Sequence, residues 1–221
     1  AADEPIEAED DTTAQDEELV EIDLHAALIS HKLWVDTGGR EGAVMSIEHA
    51  DLREADLTSA NMQKANLRDA DLRGAALSGT ILINADLEGA DFRGAIMENT
   101  ILQEARMRSV AFDQAIMDGV VFGTDLRGAT FREATLNTCV LQGAVAPAAD
   151  FTGAKIDTSV FLEAHLARAR FTDAVLKELG VKAWGARRAI MSSVESQDTP
   201  KEKNVEEEVA VSASGGQQEQ I

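Results

Sequence analysis

Large apolar residues recur every five positions along most of this chain. From Ala50 the sequence reads Ala-Asp-Leu-Arg-Glu, Ala-Asp-Leu-Thr-Ser and Ala-Asn-Met-Gln-Lys, with a small residue two positions before each large one. A period of five fits neither the 3.6-residue turn of an α-helix nor the two-residue alternation of a β-strand. The pattern therefore predicts a solenoid built from a short repeat.

The large residue of each repeat, called its centre here, shows how the repeats stack. Centres are five residues apart from Ile47 to Phe122, the next is Leu126, and five-residue spacing then resumes as far as Leu176. Taking every fourth centre collects five phenylalanines on one side and the other two on a second side. The first set is Phe92, Phe112, Phe131, Phe151 and Phe171, and the second is Phe122 and Phe161. Four repeats per coil are therefore expected, with one coil shortened near Gly123.

Two repeats carry a recognisable motif at every position, Ala-Asp-Leu-Arg-Gly at 70–74 and Ala-Asp-Phe-Arg-Gly at 90–94. This motif resembles that of the pentapeptide-repeat family, and the resemblance extends over residues 45–178. It implies an all-β solenoid, a right-handed quadrilateral β-helix of about 6.5 coils, with the centre and the small residue pointing inward. Residues 28–42 also resemble the leader that precedes the repeats in many bacterial members.

The segments outside the repeats have different patterns. Apolar residues at helical spacing, after a run of acids, predict a helix from about Asp16 to Asp36, ended by Gly38 and Gly39. We expect residues 16–44 to cap the first coil and 179–194 to form a C-terminal helical cap, because an open solenoid end exposes unpaired strand edges. Residues 1–15 and 195–221 are polar, acidic and expected to be disordered.

The formal charge of −20 is concentrated at the two ends of the chain. Residues 1–23 hold 11 Asp and Glu without Lys or Arg, and residues 195–221 hold 7 acids and 2 lysines. The repeats are therefore close to neutral, and we expect no direct binding of nucleic acid. The sequence has no apolar run of membrane-spanning length and no secretory signal, which predicts a cytoplasmic protein without membrane insertion.

Residues with catalytic or metal-binding chemistry are few and scattered. His25 and His31 lie on different faces of the predicted helix, and His49 and His165 fall at outward repeat positions. Cys139 takes the place of the small residue of a repeat, which predicts a buried structural thiol. Since the sequence also lacks a phosphate-binding loop and a nucleophile motif, we predict no enzyme activity, no cofactor and no metal site.

The outward positions of the repeats are more informative. The residue before each centre is usually Asp or Asn, but on one side it is apolar in five successive coils. A contiguous apolar stripe indicates a protein partner, a second copy of the chain, or cover by another segment of the chain. The alternative is that β-branched residues simply suit stacked strands. The candidate interface consists of Ile81, Ile101, Val121, Val140 and Val160, extended by Ile83 and Leu162, and by Ile96 and Ile116 on the adjacent side.

A second outward ladder is charged and consists of Arg53, Arg73, Arg93 and Arg132. Aspartates alternate with the first three arginines, so local ion pairing is the simpler interpretation. The alternative is a binding strip for an acidic partner.

These patterns together predict a non-catalytic protein–protein interaction or scaffold module whose partner is another protein or a second copy of itself. The resemblance supplies an alternative, because some pentapeptide-repeat proteins are DNA-mimicking effectors of DNA gyrase or topoisomerase. Such mimicry needs a strongly negative surface, whereas the acids of this chain are concentrated in its tails.

Overall fold

A computed structural model of the chain describes residues 23–123 and 125–177. The predicted acidic tails and the predicted C-terminal helical cap, 179–194, lie outside the described residues. Within them, the repeats form a right-handed quadrilateral β-helix, as predicted. Its coils run from Ser46 to Lys177 and number about 6.5.

Backbone hydrogen bonds to the coils above and below hold the solenoid together. The N–H of Asp71 donates to the carbonyl of Ala50 at 2.9 Å, and the N–H of Leu72 donates to the carbonyl of Asp91 at 2.8 Å. Parallel bridges therefore join residues 20 positions apart, beginning with Ser46 and Asn66. This pairing satisfies backbone groups that burial would otherwise leave without partners.

One side of the coil is regular enough to form a continuous parallel sheet, which we call the sheet side. Its five strands lie in chain order, and each pairs with the next in the order β1-β2-β3-β4-β5. The strands are β1 (Ile96–Glu98), β2 (Ile116–Asp118), β3 (Thr135–Asn137), β4 (Lys155–Asp157) and β5 (Val175–Lys177).

The core is a column of centres surrounded by small residues. Five phenylalanines stack in one ladder, the phenylalanine side, with ring centroids 5.3, 5.1, 4.7 and 4.8 Å apart. Phe122, from another side, meets Phe112 and Phe131 edge-on at 5.7 Å. The ladder confirms the sorting by every fourth centre, and the interior is filled by side chains.

The shortened coil is accommodated at one corner, next to Gly123. Ile101 bridges Val121 across 20 residues, whereas Val121 bridges Val140 across 19. A Cβ atom on Gly123 would lie 2.5 Å from the carbonyl oxygen of Leu102, so only glycine fits this corner without movement. The side-chain ladders continue unchanged across the short coil.

A single helix, α1 (Leu24–Asp36), precedes the coils. It ends at Asp36, as predicted, and begins at Leu24, where the Asp23 side chain accepts the Ala26 N–H at 2.9 Å and acts as the N-cap. The part of the predicted helix at 16–22 lies outside the described residues. Apolar residues at helical spacing pack on the core, namely Leu24, Ala27 and Leu28.

His31 joins α1 to the first coil. It is fully buried, and its Nδ1 accepts the Met45 N–H at 3.0 Å. The imidazole stacks on Trp34 with ring centroids 5.7 Å apart. Helix α1 is therefore attached to the coils by a polar contact as well as by apolar packing.

Candidate protein interface

The structure brings the predicted apolar stripe together as one ladder. Consecutive members are partners in parallel bridges, so each side chain lies directly above the next. We call this the aliphatic side, defined by the outward residues Ile81, Ile101, Val121, Val140 and Val160. At about 4.8 Å per coil the ladder is about 19 Å long.

Side chains of the aliphatic side are partly open to solvent. Val160 is 37 % exposed, and the other four members of the ladder are half-buried by their neighbours. Ile83 and Leu162, which follow their centres, are also half-buried and lie at opposite ends of the same side. The ladder is therefore a continuous ridge of accessible methyl groups.

Among the described residues of this side, no charged residue lies directly before or after a centre, although Glu104 and Glu163 are exposed at its corners. The residues after the centres of its second and fourth coils, Gln103 and Gln142, are both exposed, and the residue after the third centre, Gly123, is buried. The prediction from the sequence used only the residue before each centre and therefore missed these residues. The residue after each centre would have identified them. The two columns that flank the centres are therefore uncharged, and the exposed acids Glu104 and Glu163 lie at their border.

Ile96 and Ile116 belong to a separate patch. They begin β1 and β2, pair with each other, and are 42 % and 51 % exposed. Along the chain, the outward acids Glu98 and Asp118 lie between them and the aliphatic side. The two isoleucines are therefore accessible, but charged residues separate them from the ladder.

The arginine ladder is engaged in local ion pairs. Nε of Arg53 donates to Asp51 at 2.7 Å, and Nε of Arg73 donates to Asp71 at the same distance. Hydrogen bonds from Arg53 lower the pKa of Asp51 to about 2. Arg93 repeats the pattern with Asp91 at 2.9 Å. The charges on this part of the phenylalanine side largely cancel at short range.

Arg132 belongs to a denser cluster around a buried aspartate. Asp150 is 6 % exposed and accepts hydrogen bonds from Arg132 Nε at 2.9 Å and from the Thr152 N–H at 3.1 Å. Burial would raise the pKa of Asp150, but the hydrogen bonds from Thr152 and Arg132 outweigh it and lower the pKa. This cluster stabilises two neighbouring coils.

The side with outward residues Asp86, Arg106 and Asp125, called the charged side, also pairs its charges. Asp125 accepts from Nε of both Arg108 and Arg127 at 2.7 Å. Hydrogen bonding by Arg127, followed by that from Arg108, lowers the pKa of Asp125. Acids on this side are therefore neutralised by adjacent arginines.

The histidines and the cysteine do not form a site. His25, His49 and His165 are exposed, and His31 is buried under α1. Cys139 is buried, as predicted, and burial raises the pKa of its thiol to about 12. Among residues 23–123 and 125–177, no group of three His, Cys, Asp or Glu is arranged to hold a metal ion.

In the part of the chain that the structure describes, no helix is both long enough and apolar enough to cross a bilayer.

Comparison with protein families gives one match. The family model for pentapeptide repeats matches in eight copies, at residues 46–74, 70–108 and 124–161. These ranges fall within the coils described above. No curated protein sequence matches the chain significantly.

Solved structures similar to the chain include three pentapeptide-repeat solenoids of low sequence identity. QnrB1, a plasmid-mediated fluoroquinolone resistance protein, is 17 % identical, with 64 % of this chain and 90 % of QnrB1 covered and a TM-score of 0.34. HetL from the cyanobacterium Nostoc, involved in heterocyst differentiation regulation, is 22 % identical over 68 % of this chain and 93 % of HetL, with a TM-score of 0.30. A thylakoid lumen protein from Arabidopsis thaliana is 19 % identical over 72 % and 83 %, with a TM-score of 0.26.

Proposed function

Because this chain belongs to the pentapeptide-repeat proteins, we propose that it is a non-catalytic interaction module that binds a protein through its aliphatic side. Members of the family are generally non-enzymatic structural or interaction proteins. The observation that supports this particular surface is the bridged ladder from Ile81 to Val160.

Comparison between the sides of the coil supports the choice of surface. The phenylalanine side carries aspartates at the position before the centre, Asp51, Asp71 and Asp91, and each is paired with an arginine. The aliphatic side has isoleucine or valine at the equivalent position in five coils. Burying these methyl groups against a partner removes apolar surface from water without stripping water from a charge.

Rigidity also suits a binding role. Each coil pairs with its neighbours through backbone hydrogen bonds, and the interior is filled by stacked side chains. Since the ladder is held in place before binding, association does not have to order a flexible surface. The module is thus a preformed contact face.

A double substitution tests the proposal directly. Ile101→Asp together with Val121→Asp should leave the circular dichroism spectrum unchanged, because both side chains point outward. The same variant should lose association in light scattering and in pull-down from the native cell, since a partner would have to bury two carboxylates. Unchanged association would contradict the proposal.

A matched control is available on the phenylalanine side. Ala111→Asp adds a carboxylate at the outward position before a centre, where the coil below already has Asp91. This variant should associate like the wild type. If it lost association as completely as the double variant, added negative charge rather than the loss of the ladder would be the cause.

The alternative function, a DNA-mimicking effector of gyrase, has less support from the surface. Asp71, Asp91 and Asp125, outward acids of the coils, are paired with arginines instead of forming a continuous negative strip. A gyrase supercoiling assay with micromolar protein distinguishes the two functions. Inhibition or protection of gyrase that survives the double substitution would favour the alternative.

A further inference from the structure

The residues that flank the centres of the aliphatic side have the same order of chemical types in either direction along the solenoid. Each of the five coils of this side has a pair of residues that flank the centre, one before it and one after it, and we call such a pair a rung; all of these residues are outward except Gly123, which is buried. The third rung, Val121 and Gly123, is the midpoint of the series. The rungs in order are Ile81 and Ile83, Ile101 and Gln103, Val121 and Gly123, Val140 and Gln142, and Val160 and Leu162.

We propose that the partner of the aliphatic side is a second copy of this chain, packed antiparallel about a two-fold axis that runs along the third rung. This inference rests on the proposed function and adds the identity and orientation of the partner. A two-fold contact requires a surface that is complementary to itself. The palindromic order of the rungs meets that requirement.

The axis matches each rung with one of equivalent chemistry. It places the doubly apolar first rung, Ile81 and Ile83, opposite the doubly apolar fifth rung of the second copy. It places Gln103 opposite Gln142 of the second copy, and two amide side chains can exchange hydrogen bonds as donor and acceptor. Neither pairing leaves a polar group facing an apolar one.

The third rung lies on the axis and meets itself. Val121 packs on Val121 of the second copy. Gly123 is buried within its own coil, where its Cβ position is blocked by the Leu102 carbonyl, and it adds no side chain to the contact. The shortened coil therefore leaves Val121 as the side chain that the third rung presents at the centre of the contact.

Charge favours a copy of the same face over a charged partner. No residue of the five rungs carries a charge, and the exposed acids Glu104 and Glu163 border the second and fifth rungs, which the axis does not match with each other. The contact therefore contains no like-charged pair despite the formal charge of −20 on the whole chain. A basic or acidic partner would find no complementary group on these rungs. Repulsion between two whole chains is long-ranged and should weaken as salt is added.

The size of the face sets the expected strength. Five rungs at about 4.8 Å, each about 10 Å wide, give a footprint far below the ~800 Å² per partner of a standard interface. The dimer should therefore be weak and concentration-dependent. Sedimentation equilibrium from about 1 µM to about 500 µM should show a shift from monomer to dimer mass that persists or grows in high salt.

Disulfide trapping tests the orientation. In the full chain, Val121→Cys should form a disulfide-linked dimer under mild oxidation, because this position meets itself on the axis. Ile81→Cys and Val160→Cys should each give little dimer alone but a linked dimer when mixed. The native Cys139 supplies little background, since it is buried and its thiol pKa is about 12.

The outcomes separate this inference from the proposed function. A chain that stays monomeric at about 500 µM and is not trapped by Val121→Cys overturns the dimer. Loss of a heterologous partner from the Ile101→Asp and Val121→Asp variant would then still uphold the proposed function. Trapping of Ile81→Cys or Val160→Cys alone, with none for Val121→Cys, overturns the antiparallel arrangement. A dimer that survives the double aspartate substitution uses another surface and overturns this inference.

Discussion

Val121 and Val140 are bridge partners although they are 19 residues apart, whereas Ile101 and Val121 are partners across 20. Within a strand, a one-residue slip would turn every following side chain to the opposite face. Here the missing residue is taken from the corner beside Gly123, so the outward residues remain outward. The aliphatic side is continuous because the shortening falls in a turn.

Substitution of Gly123 at that corner should destabilise the fold. Gly123→Ala places a Cβ about 2.5 Å from the Leu102 oxygen and 2.9 Å from the Ala105 oxygen, both backbone atoms that cannot rotate away. We expect a loss of about 2–4 kcal/mol in the free energy of unfolding, measured by urea denaturation.

Gly94→Ala is the control for Gly123. Gly94 has φ of +69°, but nothing lies within 4 Å of its Cβ position. Its replacement should cost about 1 kcal/mol, the penalty for a left-handed backbone alone. Equal losses for the two variants would show that the Gly123 corner relaxes freely and would contradict the close approach.

The buried Asp150 should contribute more to the free energy of unfolding than an exposed aspartate does. Asp150→Ala leaves the Thr152 N–H and the Arg132 guanidinium without their acceptor, which should lower the free energy of unfolding by about 1–3 kcal/mol. Asp51→Ala removes a shorter pair, 2.5 Å to Arg53, but that aspartate side chain is 59 % exposed. The decrease in the free energy of unfolding caused by Asp51→Ala should be too small to resolve in the same urea titration.

The stabilisation by Asp150 should also depend on pH. The pKa of Asp150 is lower in the folded chain than its ordinary value, so its stabilisation is complete above the unfolded pKa of about 3.9. That stabilisation is lost as pH falls through the folded pKa. The stability difference between wild type and Asp150→Ala should therefore shrink below about pH 4; a difference that is constant with pH would contradict the role of the charge.

Attachment of α1 should be sensitive to pH near neutrality. Burial lowers the pKa of His31, and the backbone groups of Ala43 and Gln63 offset this only in part. Nδ1 accepts the Met45 N–H, which a protonated ring could not do. The neutral ring therefore stabilises the folded state above the unfolded pKa of about 6.5, and this stabilisation is lost as pH falls through the folded pKa.

Trp34 provides the readout because it stacks on His31. In a Trp184→Phe background, unfolding can be followed by the fluorescence of Trp34 alone. The stability measured in this way should decrease as the pH falls from about 7 to about 5. His31→Asn should remove this dependence, and His25→Asn, at an exposed position, should keep it. A pH dependence that survives His31→Asn would assign it to another group.

The five-residue period predicted the coils, the phenylalanine ladder and the aliphatic side because each depends on local spacing alone. The N-cap of α1 at Asp23 could not be predicted from the sequence, since the acids from Asp16 onward suit a helix N-terminus as well as Asp23 does. The hydrogen bond from Met45 to His31 spans 14 residues and depends on how the helix docks. Spacing within a repeat carries no information about such a contact.

Hydroxyl-radical footprinting of the full chain at low and high concentration tests the central claim most directly. Val160 and Leu162, on the aliphatic side, should be oxidised less at high concentration, while Ile116, 51 % exposed on the sheet side, should be oxidised equally at both. Ala111→Asp should keep the protection, and Ile101→Asp with Val121→Asp should abolish it. Equal oxidation of the aliphatic side at both concentrations, or protection of Ile116 instead, would contradict the account.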